Sequence, residues 1–320
     1  MSDTSITALV LKRLASGLVT LLIVSLLVFV GTEILPGDVA QAVLGQQATP
    51  EAVQAIRDEL GLERPALIRY FEWLGGFVQG DLGRSLVSGR EISEMIGQRL
   101  RNTFFLAAMA AVIAIPLSVG LGLLAALYEG RLTDKSISIF TLIFVSLPDF
   151  LLGYILLLVG AVVLGWFPAL SKLTDSMTFW QQLNAVALPC LTLALVTSSH
   201  TMRLTRAAVL SVMHQPYVEM AALKGASRRR IILRHALPNA LSPILNIVML
   251  TLAFLVVGVV VVEAVFNYSG MGRLMIDAVS KRDMPLVQAC GLIFASVYVL
   301  LNLTADILSL LTNPRRRRPK

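Results

Sequence analysis

Charge is scarce in this 320-residue sequence: Asp, Glu, Lys and Arg together make up 15% of it, where a soluble domain carries about a quarter. Apolar residues reach 56% and the mean hydropathy is +0.76, more apolar surface than a soluble globule of this length can hide. Intrinsic disorder, a collagen repeat, a disulfide-stapled secreted domain and an ordinary cytosolic enzyme are therefore excluded. Cysteine is nearly absent. Cys190 and Cys290 stand in apolar stretches without a CxxC or Cys/His cluster, so they read as small buried residues. The three histidines, His200, His214 and His235, are 14 and 21 residues apart, which is not a metal-binding spacing. No glycine is followed by lysine, so the chain has no GxxxxGK[ST] phosphate loop and no ATP site of its own.

What the sequence has instead is long uncharged runs. About 20 apolar residues cross about 30 Å of hydrocarbon as a helix. Runs at 14–32 and 102–128 qualify, and a third lies within 136–170, interrupted by Asp149. Further runs fall within 176–202, 236–262 and 285–311, the last broken by Asp306. Six spans put both termini on one side. The first run is longer than a signal peptide's h-region, and Glu33 and Pro36-Gly37-Asp38 would precede an Ala40-Gln41-Ala42 cleavage point, so it reads as a retained helix. Asp149 is the one acid well inside a run, with Pro148 suggesting a kink beside it. A group at that depth faces the bundle or water, which leaves pore lining, structural hydrogen bonding and a proton-coupled carrier open. Glu33, Glu263 and Asp306 lie at span ends, where acids are ordinary.

The net charge of +7 and pI near 9.7 follow from Lys and Arg in cytoplasmic loops, without nucleic acid. With the N-terminus inside, the inner segments hold Lys12, Arg13, Arg131, Lys135, seven bases within 203–234, and the tail Arg315 to Arg318 with Lys320. The long outer segment, 36–101, has seven arginines offset by nine acids. Within it Thr49-Pro50-Glu51 starts a helix that stops at Gly61, and the aromatic stretch 65–78 reads as part of a packed cap at the membrane interface.

The basic segment 203–239 is patterned. Residues 219–225 form a short helix ending in Gly225, and Ser227 caps a second helix over 228–237 that runs to Pro238 and into the fifth span. Ala221, Ala222 and Gly225 permit close approach, and Arg228, Arg229 and Arg230 supply charge. Such a helix–glycine–helix can dock into another protein, or lie on anionic headgroups as a basic amphipathic loop.

Glu219-x-Ala221-x-x-x-Gly225, nine residues, then His235-x-Leu237-Pro238 resembles the EAA loop of ABC-importer membrane subunits. Met220 stands where the first alanine is usual and His235 where an aliphatic residue is usual. The rest of the chain is similar to the dipeptide/oligopeptide permease branch. The similarity is carried by Leu35-Pro36-Gly37-Asp38, Gly80-Asp81-Leu82-Gly83-Arg84-Ser85-Leu86, Ser146-Leu147-Pro148 and Val262-Glu263-Ala264-Val265-Phe266. It continues in Gly270-Met271-Gly272-Arg273-Leu274, Arg282-Asp283-Met284-Pro285, and Asn302 to Asp306 with Asn313-Pro314-Arg315.

The resemblance implies an all-α polytopic permease of the bacterial inner membrane with six transmembrane helices. It implies three parts: 1–101, an N-terminal helix and periplasmic cap; 102–312, a five-helix core with a coupling loop near 203–239; and 313–320, a basic tail. It also implies a second homologous permease, an extracytoplasmic substrate-binding protein and two cytoplasmic ABC ATPases, with ATP and magnesium on those ATPases and no cofactor on this chain. Glu219, Ala221, Ala222, Gly225, Arg228, Leu237 and Pro238 would form the ATPase-coupling element. Di- and oligopeptides lead as substrates, with nickel complexes, glutathione, opines and some sugars carried by similar permeases. The alternative is a self-sufficient secondary carrier using Asp149.

Overall fold

The computed structural model describes residues 6–34, 49–59, 64–174, 176–213 and 215–312. Its regular structure is helical, and among the described residues the β structure is one isolated bridge between Arg84 and Glu91. The sequence blocks at 35–38 and 313–315, the glycine stop at Gly61, and His214 lie outside the described residues.

Five helices are long and apolar enough to cross a membrane, starting with α1, Ile6–Ile34. Two short helices follow it: α2 at Pro50–Glu59, where the sequence predicts one, and α3 at Ala66–Gln79, formed by the aromatic stretch read as part of the cap. The second long helix, α4, covers Ile92–Leu127. It starts earlier than the apolar run because Ile92 and Ile96 are buried and extend the helix through a polar stretch. The third span is broken: α5 (Leu132–Ser146) and α6 (Asp149–Leu157, continued by a π turn at Leu158–Val163) meet at a bend of 100°. Pro148 forces it, since the residue before proline is driven out of the helical region, and Leu147 is extended at φ −88°, ψ 131°. Counting that pair as one span gives the six expected.

The remaining long helices are α7 (Phe179–Met213), the rod Arg228–Val265, and the last helix, Met284–Thr312. In the rod, α9 (Arg228–Ile231) passes through a π turn (Ile232–Ala236) into α10 (Leu237–Val265). Between α7 and the rod lies α8 (Pro216–Leu223); α11 (Met271–Ser280) and α12 (Met284–Thr312) complete the chain.

The contacts divide the chain into two compact units. One comprises Ala15–Phe104 with Ser269–Val299. Here α3 is pinned to α1 by a 2.8 Å hydrogen bond between the Ser25 and Tyr70 hydroxyls and a 2.7 Å Arg69–Glu33 ion pair. Ile92, Ile96, Met271, Leu286 and Cys290 form its core. The buried Asp283 carboxylate accepts the Ser85 hydroxyl and, at 3.1 Å, the Leu86 N–H. Two sequence blocks that resemble the permease branch, 80–86 and 282–285, thus meet in one latch.

The other unit is Phe105–Tyr268 with the start of α1 and the end of α12. Its largest core cluster includes Leu106, Val186, Leu193, Leu255 and Phe266. Close packing of α4 on α7 depends on Gly122, where a Cβ would meet the Thr205 Cβ at 2.8 Å and the Met202 carbonyl at 2.9 Å. One expectation for this unit fails. Glu263 is no ordinary interfacial acid; its side chain is fully buried, because the chain turns back after α10 and the Tyr268 N–H closes on the Glu263 carbonyl at 2.9 Å.

Candidate functional site

The basic segment folds as a helix–glycine–helix. Pro216 opens α8, its missing N–H harmless at a first-turn position, and the acidic Glu219 lies in that first turn, favourable to the helix dipole. Val218 is buried and anchors the helix, while Tyr217, Met220 and Leu223, spaced by three, are exposed by 43, 55 and 82%. Glu219 and Ala222 are exposed and Ala221 is half-buried. The result is a short helix with an open apolar flank.

A Schellman motif ends α8. The Ala226 N–H reaches the Ala221 carbonyl at 3.2 Å and the Gly225 N–H the Ala222 carbonyl at 2.9 Å. Gly225 is left-handed, at φ +80°, and a Cβ there would meet nothing within 4 Å. Glycine is required by backbone conformation, and close approach of a neighbour within the chain is not the reason. Ser227 occupies the N-cap position of α9 but its hydroxyl makes no cap hydrogen bond, correcting the capping role expected of it. Its carbonyl instead accepts the Ile231 N–H at 2.9 Å.

Arg228 does not simply offer its charge outward. Its Nη2 donates to the Glu129 carboxylate at 2.7 Å and to the Ala126 carbonyl at 3.2 Å, tying the segment to the end of α4. Nothing in the linear pattern signals this pair, which is 99 residues apart. Arg229 and Arg230 remain exposed. Leu237 packs with Ala126, Val209, Ile232, Ala240 and Ile244 in a small core under the segment. Pro238 does not end a helix: the π turn just before it absorbs the lost i→i−4 hydrogen bond, so the rod continues unbroken. Leu237 therefore sits with the anchoring side of the loop, while Glu219, Ala222, Gly225 and Pro238 are exposed.

Asp149 is remote in sequence from this constellation. It stands half-buried in the first turn of α6, just past the bend, where a helix N-terminus favours a carboxylate. Among the described residues no group of three His, Cys, Asp or Glu side chains could hold a metal ion. Cys190 and Cys290 are free and buried.

A family profile described as binding-protein-dependent transport system inner membrane component matches residues 118–318, and one for the N-terminal part of such membrane components matches residues 6–107. The chain is 37% identical over 308 residues to the glutathione transport system permease protein of Escherichia coli O6:H1 (strain CFT073), covering 96% of this chain and 98% of that one. A Brucella abortus (strain 2308) protein whose name assigns it as permease of a peptide transport system is 37% identical over 313 residues, covering 97% and 99%. Among solved structures, a chain of the inward-facing MetNI methionine ABC transporter is similar at a TM-score of 0.54, over 68% of this chain and 96% of that chain. At 16% identity that likeness is one of fold.

Proposed function

The chain belongs to the binding-protein-dependent transport system inner membrane components, and from that premise we propose that it forms one half of the translocation path for di- and oligopeptides or similar small solutes. It is the membrane-spanning permease subunit of an ATP-driven importer, a transport subunit and not an enzyme, served by separate ATPase and substrate-binding partners. A second, homologous permease supplies the other half of the path. ATP and magnesium sit on two cytoplasmic ATPases, and this chain holds no cofactor. The substrate class rests on the relatives named for glutathione, itself a tripeptide, and for peptides.

The observation that carries the coupling role is the exposed α8–Gly225–α9 segment, apolar on its open flank and fastened to α4 by Arg228. Glu219, Ala221, Ala222 and Gly225 shape the face that enters an ATPase groove; Arg228, Leu237 and Pro238 transmit its movement to the helices. This requires both termini and the loop to be cytoplasmic, in keeping with the basic residues of the short loops. Residues 1–101 then supply the first span and a periplasmic cap, 102–312 the core, and 313–320 a basic tail. Alternating access follows when closure of the ATPases moves the docked loop. Asp149 borders the path as a polar wall residue without energising transport.

Proteoliposomes test this reading. Uptake of a labelled tripeptide is expected only with both permeases, the ATPases, the binding protein and ATP present. Uptake by this chain without ATPases, driven by a proton gradient, would establish the secondary carrier instead.

A further inference from the structure

A cleft between α5 and α7 has a chemistry that the coupling scheme leaves unused. It encloses about 570 Å³, and its lining includes His200, Arg203, Arg206, Ser138, Leu142 and Leu204. One cation there is already satisfied: Arg206 grips the buried Asp134 with two hydrogen bonds of 2.7 and 2.9 Å, and the Gly130 N–H adds a third to the same carboxylate at 3.0 Å. Arg203 has no such partner. No described carboxylate forms an ion pair with it, and His200, three residues earlier on the same helix, is also exposed and unpaired among the described residues. The cleft therefore carries an exposed guanidinium without a carboxylate partner among the described residues, at the cytoplasmic end of α7 in the orientation proposed above.

The surroundings are apolar in one direction. From the level of Asp134, α5 runs on through Ile139, Leu142 and Ile143, which are exposed by 58, 53 and 53%, and Leu204 on α7 is exposed by 50%. An occupant that matches both features has an anionic head for the guanidinium fork and an aliphatic chain for the strip beside it. Free phosphate satisfies only the first. We infer that this cleft seats an anionic phospholipid, its phosphate on Arg203 and His200 and an acyl chain along α5. Basic pockets between transmembrane helices on the cytoplasmic side bind such headgroups, and the inference rests on the orientation proposed above.

The complete importer, purified with its ATPases in mild detergent, is offered dioleoyl phosphatidylglycerol or dioleoyl phosphatidylcholine, and retained lipid is counted by native mass spectrometry of intact complexes. Phosphatidylglycerol is expected to be retained over phosphatidylcholine. Arg203→Gln should weaken that retention about fivefold, the value of one cation beside an anionic headgroup. Ala207→Leu, which keeps every charge but narrows the cleft that Ala207 lines, should weaken it similarly, and Arg131→Gln, outside the lining, should not. Equal retention of both lipids, or unchanged retention by Arg203→Gln, overturns the inference. Displacement of the lipid by millimolar inorganic phosphate would make this a site for the free anion and also overturn it. The count needs no transport, so it fails or succeeds apart from the coupling reading; orientation is read separately by labelling a cysteine at Gln215.

Discussion

Gly225 and Arg228 act on the same loop by different physics. At Gly225 the constraint is the left-handed backbone, φ +80° with open space where a Cβ would go. A side chain there costs roughly 1–2 kcal/mol through conformation alone, and a β-branched one costs most. Arg228 contributes a tie. Its pair with Glu129 leaves the two side chains 45% and 39% exposed, so it adds less than about 1 kcal/mol to stability. Arg228→Ala is therefore expected to assemble normally with the ATPases while transport per ATP hydrolysed falls about threefold, a coupling energy of the size neighbouring residues share. The double swap Arg228→Glu with Glu129→Arg should recover part of the loss. Uptake and hydrolysis measured in the same vesicles decide it, and unchanged stoichiometry in Arg228→Ala would remove the tie from the mechanism. Gly225 was legible from the sequence, because a glycine closing a helical run before a serine has a local cause. The Arg228 partner was not, since an ion pair across 99 residues leaves no local pattern.

Among the elements, the broken third span and the continuous rod show what proline does in two settings. Pro148 turns the chain through 100° because Leu147 is forced extended and no alternative hydrogen bonding spans the break. Pro238 bends nothing so sharply, because the π turn at Ile232–Ala236 takes up the register change ahead of it. A span could be read from hydropathy in both places; the size of the bend and the π turn could not, since both depend on which hydrogen bonds the folded backbone can re-form. The outcome matters for transmission. A helix continuous from Arg228 to Val265 would carry a push on the loop directly into the fifth span. Asp149, by contrast, lies in the first turn of the helix that restarts after the break. Asp149→Asn should leave ATP-driven uptake within about twofold of wild type, since the helix-end charge is worth only 0.3–1 kcal/mol. Loss of uptake with normal assembly and normal hydrolysis would show that Asp149 acts on the substrate.

On the scale of the whole molecule, orientation is the feature most exposed to test. With six spans and basic short loops, cysteines placed at Ser2, Gly130, Gln215 or Lys320 should be shielded from an impermeant reagent in intact cells. Those at Gly61, Thr174 or Met284 should label, and labelling at 215 from outside would reverse the topology. The number of spans was readable because hydrocarbon thickness imposes a run length. The latch of Ser85 and Leu86 on Asp283 was not, although both blocks stood out, because nothing in a linear sequence says which distant blocks touch. The central claim, that a glycine-turned cytoplasmic loop couples ATP hydrolysis to this permease, is tested most directly in the reconstituted importer carrying Gly225→Val. The expected protein inserts and pairs with the second permease, yet loses its ATPases on purification or loses substrate-stimulated hydrolysis and uptake, with Gly225→Ala affected less. Retention of both ATPase binding and full uptake by Gly225→Val would contradict the account.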